Sequence, residues 1–323
     1  MLNKLNVSFK DSVNLLFSLI SILALSTACV STQERSKTIQ ESDQKITTEK
    51  NLKIQENTQI YTAKNPKETV SNFLRAVKNN DPSTIRKLAN SDYIQHNPYV
   101  PTGLESFISM LNILQQNQTT LENVRMFQDG NYFFLHNIWR NAKPFGADKM
   151  VAFHILRVDD KGMIAEHWNA MTTLVEKTAS GRSQTDGPIT PEDRNSTEAN
   201  KKIVQGFLED ILMGKNPDNL TKYISSKEYH QHNPMVKDGL EGIYEAVKYL
   251  TSQNNMSKYT KIHKILGEGN FILAISEGNW NKKQQVFYDL FRVKDNKLVE
   301  HWDVIQEIPT QNLANTNTMF NFK

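Results

Sequence analysis

Apolar residues recur at helical spacing near the start of each half of the chain. They fall at i, i+3, i+4 and i+7, the pattern of an amphipathic helix with one buried face. They are Val70, Phe73, Leu74 and Val77 in the first half, and Val204, Phe207, Leu208 and Ile211 in the second. A second helix is predicted later in each half by the same spacing, at Leu104, Phe107, Ile108 and Leu111, and at Leu240, Ile243, Tyr244 and Val247.

The later part of each half changes to stretches rich in β-branched and aromatic residues, which predict strands. These stretches are Tyr132–Trp139, Met150–Val158 and Met163–Leu174, then Phe271–Trp280, Gln285–Val293 and Lys297–Ile308. Polar turn residues separate them. Helices followed by a run of antiparallel strands predict an α+β fold in each half, and not an alternating α/β fold.

The two halves also share two phrases of polar and aromatic residues. Tyr93–Glu105 and Tyr229–Glu241 are identical at nine of thirteen positions. About seventy residues later, each half closes with Arg-Val followed by Glu-His-Trp, at Glu166–Trp168 and Glu300–Trp302. A duplication that keeps His, Asn, Glu, Arg and Trp in a fixed order predicts a repeated site as well as a repeated core.

The repeat divides the chain into two domains, residues 66–175 and 199–308, and a length of 323 residues agrees with two domains. Residues 29–65 are rich in Ser, Thr, Gln, Lys and Glu, which predicts a polar tether. Residues 176–198 contain glycines and prolines and predict a linker. Residues 309–323 predict a polar, loosely held tail. The net charge of +3 does not indicate a nucleic-acid partner.

The first 28 residues have the pattern of a signal peptide, with two lysines before a short apolar stretch, Leu15–Leu25. Cys29 follows and is the only cysteine, which excludes an intrachain disulfide. Its position resembles the lipobox of bacterial lipoproteins, in which this cysteine is lipidated. We therefore expect an exported protein that is lipid-anchored to the membrane at the cell envelope through Cys29. Because Ser26 and Ala28 also fit an ordinary cleavage site, a secreted or periplasmic soluble protein is the alternative.

Each repeat resembles a SnoaL-like domain of the nuclear transport factor 2-like superfamily. The resemblance rests on the closing phrases, since the polyketide cyclases of this family carry His-x-x-Arg-[Ile/Val] on one strand and acidic-His-x-Asp on the next. It implies a cone-shaped domain, in which a curved antiparallel sheet is wrapped by N-terminal helices around a pocket. It also implies an intramolecular aldol reaction with the Asp as acid/base and without a cofactor.

In the second repeat, Asp289 and Arg292 lie on one predicted strand and Glu300–Asp303 on the next. This pattern resembles a SnoaL-like subgroup predicted to catalyse aldol condensation. The resemblance places Asp303 at the acid/base position, with His301 and Asp289 assisting. A carboxylate that faces an apolar pocket has a raised pKa, which suits it to proton abstraction beside a carbonyl group.

The first repeat keeps the family's histidine at His154 but carries Asn169 at the acid/base position. Asparagine cannot take up a proton, so any chemistry is predicted for the second repeat. The other residues predicted to bind in the two pockets are His96, His154, His167, Trp168 and Asn169, and His232, Arg292, Glu300 and Trp302.

Two alternatives stay open for these residues. Arg292 and Glu300 could form a cross-strand ion pair, and the tryptophans could belong to the core. In addition, Glu300 and Trp302 face one side of a strand while His301 and Asp303 face the other, so a one-residue shift in register changes which of them meets Asp289.

His96 and His232 precede Asn-Pro in the first shared phrase, where each could line a pocket mouth or cap a turn. His230 and His232 have a spacing that could bind a metal ion from one strand face, but no third ligand accompanies them, so no metal is predicted. The chain also lacks a glycine-rich phosphate loop and a GxSxG nucleophile motif.

Two functions from different classes follow. The first is a cofactor-independent lyase, isomerase or cyclase that acts on a small apolar carbonyl compound in the second repeat. The second is a non-catalytic envelope module that binds a small apolar ligand or a protein partner. The resemblance also implies that the two repeats pack as an internal pseudo-dimer or that the chain forms homo-oligomers.

Overall fold

The computed structural model describes residues 65–322. The predicted signal peptide, Cys29 and all of the predicted tether except Asn65 lie outside the described residues. Between residues 65 and 322, no helix is long and apolar enough to cross a membrane.

The first repeat consists of helices followed by a five-stranded sheet. Its elements are α1 Pro66–Lys78, α2 Pro82–Leu88, β1 Ala89–Gln95, α3 Leu104–Gln116, β2 Thr120–Asp129, β3 Tyr132–Arg140, β4 Lys149–Val158 and β5 Ile164–Thr173. Helices α1 and α2 each begin at a proline that follows a capping side chain. Asn65 accepts a hydrogen bond from the Lys67 N–H, and Asp81 accepts one from the Thr84 N–H, each at 3.0 Å.

The second repeat has the same order, and the predicted α+β fold is confirmed in both. Its elements are α4 Thr197–Phe207, a π-helix at Leu208–Leu212, α5 Leu220–Tyr223, β6 His230–Gln231, α6 Gly239–Ser252, β7 Lys258–Glu268, β8 Phe271–Trp280, β9 Lys283–Lys294 and β10 Lys297–Glu307. Short 3₁₀ turns lie at Lys143–Phe145, Arg194–Ser196 and Pro217–Asn219.

The strand order is β1-β5-β4-β3-β2 in one sheet and β6-β10-β9-β8-β7 in the other. Four strands of each sheet are antiparallel neighbours. The last three of them in each repeat were predicted, whereas β2 and β7 were not. The edge strands β1 and β6 were not predicted, and they pair in parallel with β5 and β10. They escaped prediction because they carry the polar residues of the first shared phrase, which lack the usual composition of strands. Their pairing brings the first shared phrase against the second.

The two sheets pack face to face within the chain. The apolar core between them takes residues from both repeats, including Phe134, Phe153, Ile155 and Trp168 of the first, and Leu273, Tyr288, Leu290 and Trp302 of the second. The sheets are also joined through their second strands, where the Gln128 N–H donates to Glu268 and the Gly267 N–H donates to Asp129, each at 2.9 Å. The two repeats therefore form an internal pseudo-dimer.

The other face of each sheet is covered by helices, but the two repeats differ there. In the first repeat, α3 buries Leu104, Phe107, Ile108, Leu111 and Leu114, and Phe107 stacks on Phe73 of α1. In the second repeat, α6 buries only Gly242, and its apolar residues Tyr244 and Val247 are 49% and 44% exposed. Helix α3 is thus packed tightly against the first sheet, whereas α6 contributes only partly buried apolar residues such as Leu240 and Ile243 to the core of the second repeat.

The C-terminal segment is not loosely held, contrary to the expectation from its polar composition. Met319 is buried in the core between the sheets. Phe322 stacks on Trp168 with ring centroids 4.7 Å apart, and Asn315 donates to the backbone carbonyls of Asn97 and Val100. The aromatic stack and the two hydrogen bonds from Asn315 therefore fix this segment to the first repeat, although its polar composition does not indicate such contacts.

The difference between the helices of the two cones predicts unequal effects of matched truncations. Leu111 and Val247 occupy the same position of the repeat, but Leu111 is 3% exposed and Val247 is 44% exposed. We expect Leu111→Ala to lower the free energy of unfolding by about 2–5 kcal/mol and Val247→Ala by less than about 1 kcal/mol. Urea denaturation of both variants measures this. Equal losses would show that α6 packs as tightly as α3.

Candidate functional site

Three consecutive residues of the first shared phrase bind three residues of the last strand. In the second repeat, Gln231 Oε1 lies 3.0 Å from His301 Nδ1, and His232 Nε2 lies 3.0 Å from Glu300 Oε1. Asn233 then donates from its side-chain amide to Asp303 Oδ2 at 2.6 Å. The parallel pairing of β6 with β10 sets this register, because it places Gln231 beside His301.

The first repeat joins the same three pairs of positions, Gln95 to His167, His96 to Glu166, and Asn97 to Asn169, at 3.0, 2.9 and 3.0 Å. Gln95 faces His167 Nδ1 with its amide Nε2, whereas Gln231 faces His301 Nδ1 with its amide oxygen. The two shared phrases are therefore the two sides of one hydrogen-bonded interface. This interface explains why the polar residues of both phrases recur together in the sequence.

The pairing of β9 with β10 resolves the predicted ambiguity in register. Asp289 is paired with Asp303, and Arg292 is paired with Glu300. Trp302 belongs to the core between the sheets. Because side chains alternate along a strand, Glu300 lies on the same face of the sheet as Trp302, which is the face toward the other sheet and is called the outer face of the cone. His301 and Asp303 lie on the opposite face, toward the interior of the cone.

The cone interior of the second repeat holds a buried cluster of titratable groups. His301 Nε2 lies 3.1 Å from Asp289 Oδ1, and Tyr259 donates its hydroxyl to the same carboxylate at 3.1–3.2 Å. Asp303 lies on the neighbouring strand, directly opposite Asp289. The three residues predicted to be catalytic are therefore brought together, with Tyr259 as a fourth member.

Burial and charge shift the protonation equilibria of this cluster. Burial raises the pKa of Asp303, and the nearby Asp289 carboxylate raises it further, against the opposing effects of His301 and Asn233. Burial lowers the pKa of His301, but the hydrogen bond to Asp289 and the charges of both carboxylates outweigh it, so this pKa is raised. Burial and the two carboxylates also hold the pKa of Tyr259 well above its ordinary value.

The hydrogen-bond geometry shows that Nδ1 of His301 carries a proton. The Asn233 N–H donates to Gln231 Oε1 at 2.9 Å, which identifies that atom as an acceptor. His301 Nδ1 must therefore carry a proton to bond the same oxygen. Its Nε2 faces the Asp289 carboxylate, so the protonated imidazolium satisfies both neighbours. This positive charge lies beside Asp303 in a site of low polarity.

The corresponding positions of the first repeat hold no carboxyl group. His154 takes the place of Asp289, Asn169 that of Asp303, and His154 Nδ1 lies 2.8 Å from His167 Nε2. Burial lowers the pKa of His154 to about 3, and burial with the neighbouring histidines holds that of His167 well below its ordinary value. Both rings are therefore neutral near pH 7, and the interior of the first cone is uncharged.

The outer face of each last strand carries a second, separate cluster. Arg292 Nε donates to Glu300 at 2.7 Å, Glu300 accepts from His232, and His232 stacks on Trp302 with centroids 4.7 Å apart. Arg157, Glu166, His96 and Trp168 repeat the arrangement, with the ring centroids of His96 and Trp168 4.3 Å apart. In each repeat, these residues lie on the face of the sheet opposite the one that carries Asp303 or its equivalent, Asn169.

The predicted pocket roles of the outer residues are thus corrected. Arg292, Glu300, Trp302, Trp168, His96 and His232 form ion pairs and aromatic stacks between the sheets, which matches the structural alternative considered for the Arg, Glu and Trp. His154, His167 and Asn169 do face a cone interior, but that cone is filled. Gln231, Asn233 and Tyr259 were missed as site residues. The repetition of Gln-His-Asn in both phrases could have identified Gln231 and Asn233. No feature of the sequence pointed to Tyr259.

Asp289, His301 and Asp303 could also hold a divalent cation, since one ligand atom of each lies within 4.8 Å of the others. A cation would have to replace the hydrogen bond between His301 and Asp289. The positive charge of His301 offsets one of the two carboxylates, and its Nε2 is already engaged by Asp289. Proton transfer therefore fits this donor set better than metal binding.

The walls around the second cluster are aromatic. They include Tyr229, Tyr259, Phe287 and Phe291, with Trp280 partly buried against them. Asp303 and His301 keep small exposed fractions of 8% and 9%. A surface groove of about 520 Å³ lies elsewhere, between the π-helix and β7, and none of the cluster residues lines it. We assign the candidate site to the cluster because the groove lacks a comparable set of converging groups.

No protein-family model and no curated protein sequence matches the chain. Solved structures are similar over about one third of it, the length of one repeat. They include IdmH, a candidate polyketide cyclase from Streptomyces antibioticus, at 19% identity and a TM-score of 0.29 over 33% of this chain and 91% of that chain.

Two further similar structures are an NTF2-like protein from Cytophaga hutchinsonii and a candidate ketosteroid isomerase from Kribbella flavida. The first has 15% identity and a TM-score of 0.30 over 35% of this chain and 95% of that chain. The second has 11% identity and a TM-score of 0.30 over 36% of this chain and 84% of that chain. These sequence identities and TM-scores are too low to support any statement about the activity of this chain.

The raised pKa of Asp303 predicts that its removal stabilises the protein at neutral pH. A carboxyl whose pKa is higher in the folded than in the unfolded state is destabilising when ionised, and the effect disappears below the unfolded value of about 3.9. We expect Asp303→Asn to be more stable than the wild type at pH 7 and equally stable near pH 3. Urea denaturation over a series of pH values measures the difference.

The first repeat supplies the matched control for this prediction. Asn97 already donates to Asn169 there, so an amide fits this position and Asp303→Asn should not distort the strand. The reciprocal change, Asn169→Asp, should lower stability at pH 7. If Asp303→Asn is instead less stable than the wild type at pH 7, the carboxylate is stabilised in place and its pKa is not raised.

Proposed function

We propose that the second repeat is an acid/base site of the SnoaL-like type, which abstracts a proton next to the carbonyl group of a small apolar compound. Asp303 is the base, and no cofactor takes part. The observation that carries this proposal is the environment of Asp303: a buried carboxyl with a raised pKa, held by Asn233 and placed beside a positively charged imidazole.

The proposed step uses each group of the cluster in one role. Asn233 engages Asp303 Oδ2, which leaves the other carboxylate oxygen to take the proton from the carbon beside the carbonyl. The enolate that forms is negatively charged, and the imidazolium of His301 stabilises it electrostatically in a site of low polarity. The protonated Asp303 then returns the proton to a carbon or oxygen of the product, so the site ends as it began.

His301 acts through its charge and not as the proton donor. Both of its ring nitrogens are engaged, one by Gln231 and the other by Asp289. Asp289 and Gln231 therefore hold the ring in place, and Tyr259 steadies Asp289. This assigns the predicted catalytic trio unequal roles: Asp303 touches the substrate, while Asp289 and His301 set its electrostatic environment.

The aromatic residues around the cluster indicate the polarity of the substrate. Phe287, Phe291, Tyr229 and Tyr259 belong to the apolar core of the second repeat, which favours a compact apolar or aromatic carbonyl compound. The first repeat has Asn169 and a filled cone, so it supports the second repeat through the shared core and carries out no proton transfer.

The signal peptide and Cys29 lie outside the described residues, and we retain the proposal that they direct the protein to the cell envelope. The proposed anchor is a lipid on Cys29, with free secretion as the alternative. The substrate would then be a compound of the envelope or the surroundings, and not an intermediate bound to a cytoplasmic enzyme.

A non-catalytic binding module remains the second candidate. The observation that favours it is that the first repeat keeps all three contacts of the Gln-His-Asn tripeptide with no acid at Asn169. The framework is therefore retained where this chemistry is impossible. A carrier of small apolar ligands, or of a protein partner, would need the framework but not the carboxyl group.

The proposed proton abstraction predicts exchange of carbon-bound hydrogen with solvent. In D₂O, the wild type should catalyse deuterium incorporation into small aromatic ketones such as 2-tetralone, and Asp303→Asn should reduce the rate by about 10²–10⁴-fold. The rate should rise with pH as Asp303 ionises, with a midpoint above the ordinary Asp value of 3.8. Proton NMR of the ketone measures the exchange.

The control for this experiment is Asn169→Ala in the first repeat, which should keep the wild-type rate. Tight binding of 2-tetralone that survives Asp303→Asn, with no exchange in either protein, would support the binding module instead. Exchange that a chelator abolishes would show that the cluster works through a metal ion.

A further inference from the structure

The second repeat contains two residues that have no counterpart in the first, and one of them lies at the end of α4. Ile211 and Pro217 are six positions apart, whereas the corresponding Val77 and Pro82 are five positions apart. The additional residue falls where α4 continues as the π-helix Leu208–Leu212. Such single turns of π-helix are rare and are frequently found at functional sites.

The other additional residue lies in strand β7. Strand β2 has one bulge against its neighbour, at Val124, whereas β7 has two, at Thr260 and His263. Val124 and His263 occupy the same position of the repeat, so Thr260 has no counterpart. β-Bulges redirect the neighbouring side chains and are over-represented next to active sites. The second repeat therefore departs from the first at one helix and at one strand.

Both departures border the same groove. This groove, of about 520 Å³, lies between the π-helix and β7. Its volume falls within the range of about 300–1,000 Å³ that is typical of small-molecule sites. Two departures from the repeat that meet at one groove indicate that the groove has a function of its own. It is lined by Gln205, Glu209, Met213 and Lys215 on one side and by residues 260–265 of β7 on the other.

The groove contains an apolar strip, formed by Met213, Ile262 and Ile265. These side chains are partly buried against the core of the second repeat and also line the groove. In the first repeat, Asn123 occupies the position of Ile262, so this apolar character belongs to the second repeat. The flexible side chain of methionine adapts to ligands of different shape. The strip therefore offers an apolar surface to a hydrocarbon chain.

The carboxylate that lines the groove is already paired. Glu209 accepts hydrogen bonds from Lys215 at 2.8 Å and from Gln205 at 2.9 Å. These bonds hold the pKa of Glu209 below its ordinary value, so it is ionised at neutral pH beside a compensating lysine. A carboxylate engaged in this way is a poor base. The residues of the groove therefore fit binding and not proton transfer.

The remaining charges of the groove are positive and belong to Lys261 and Lys264. Glu277 faces Lys261 in the ladder, but its Oε2 lies 3.0 Å from His263 Nε2, and no ion pair joins Lys261 to any residue between 65 and 322. In the first repeat, Glu122 occupies the position of Lys261. The positive charge, like the apolar strip, is therefore specific to the second repeat.

We propose that the groove is a second ligand site, which binds a linear amphiphile with one anionic group. The carboxylate or phosphate of this ligand contacts Lys261 and Lys264, and its hydrocarbon chain lies on the apolar strip. Lysines suit this role because their stems cover apolar surface while their ammonium groups stay in water. The opposite charges of ligand and groove also favour association.

This second site is separate from the candidate site at Asp303. None of the residues of that cluster lines the groove. Binding of an amphiphile in the groove does not require the proposed proton abstraction, and the abstraction does not require the amphiphile. The second site therefore goes beyond the proposed function, and each of the two can be tested without the other.

Calorimetric titration of the full chain with sodium dodecanoate, below the concentration at which it forms micelles, tests the proposal. We expect one dodecanoate per chain with a dissociation constant below about 100 µM. Dodecyltrimethylammonium has the same chain and the opposite charge, and it should bind at least about tenfold more weakly. The proposal fails if dodecanoate does not bind below about 1 mM, or if both amphiphiles bind equally well.

Two substitutions in the groove test the contacts separately. Lys261→Glu should weaken dodecanoate binding by at least about fivefold, because a repulsion replaces an attraction. Met213→Ser should weaken it by about the same factor through the loss of apolar contact. Lys261 is exposed and Met213 is only partly buried, so both variants should fold. Unchanged affinity in both variants would show that dodecanoate binds elsewhere.

The first repeat supplies the matched control, Glu122→Lys. This change places a lysine at the position of Lys261 in a strand that lacks the additional bulge. It should leave the dissociation constant within about twofold of the wild-type value and create no second site. Binding of a second dodecanoate to this variant would show that charge alone is sufficient, against the role assigned to the two additional residues.

Hydrogen exchange on the wild-type chain locates the ligand without any substitution. Dodecanoate should slow exchange in residues 205–215 and 258–266 and leave β4 and β10 unchanged. Slower exchange in β10 instead would place the amphiphile beside Asp303 and overturn the assignment to the groove.

Vesicles of phosphatidylglycerol distinguish the two sources of this ligand chemistry. Cosedimentation of the full chain that Lys261→Glu reduces would support a membrane lipid as the ligand. Dodecanoate binding without such cosedimentation would support a free acid.

Discussion

The parallel contact between the Gln-His-Asn tripeptide and the last strand is the constraint on which the rest of this structure depends. A parallel strand at a sheet edge places successive side chains opposite successive side chains of its neighbour. Gln231 and Asn233 therefore reach the cone interior, and His232 reaches the opposite face, from the two-residue strand His230–Gln231 and the two residues that follow it. One short element organises both the inner cluster at Asp303 and the outer cluster at Glu300, which is why these residues recur together in the chain.

The two faces of the last strand place their acidic residues in opposite electrostatic environments. On the outer face, Glu300 is surrounded by Arg292 and His232, so the buried charges compensate one another and stabilise an ionised carboxylate. On the inner face, burial and the second carboxylate opposite Asp303 outweigh the charge of His301 and the hydrogen bond from Asn233, so the ionised form of Asp303 is disfavoured. Two acidic residues three positions apart thus have pKa values displaced in opposite directions. The direction depends only on which face each side chain occupies.

Much of the fold could be predicted from the sequence, because helix and strand patterns recur in both halves. The resemblance to the SnoaL-like family also identified Asp289, His301 and Asp303 as neighbours, and they lie together in the structure. The edge strands β1 and β6 could not be predicted, since their residues are polar and the pairing depends on a partner about seventy positions away. The outer roles of Trp302 and Glu300 required the register. The tail at Thr318 and Phe322 looked unattached, because its contacts use backbone carbonyls and single aromatic rings, which composition does not reveal.

The shared core between the two sheets has a consequence for how the repeats could diverge. Two identical subunits that pack through the same surface must carry identical sites, because every substitution appears in both. Here both partners lie in one chain, so Asn169 and Asp303 can differ while the surface that joins the repeats is kept. Within residues 65–322, the pair therefore combines one half that carries the candidate site with one half whose equivalent position is an amide.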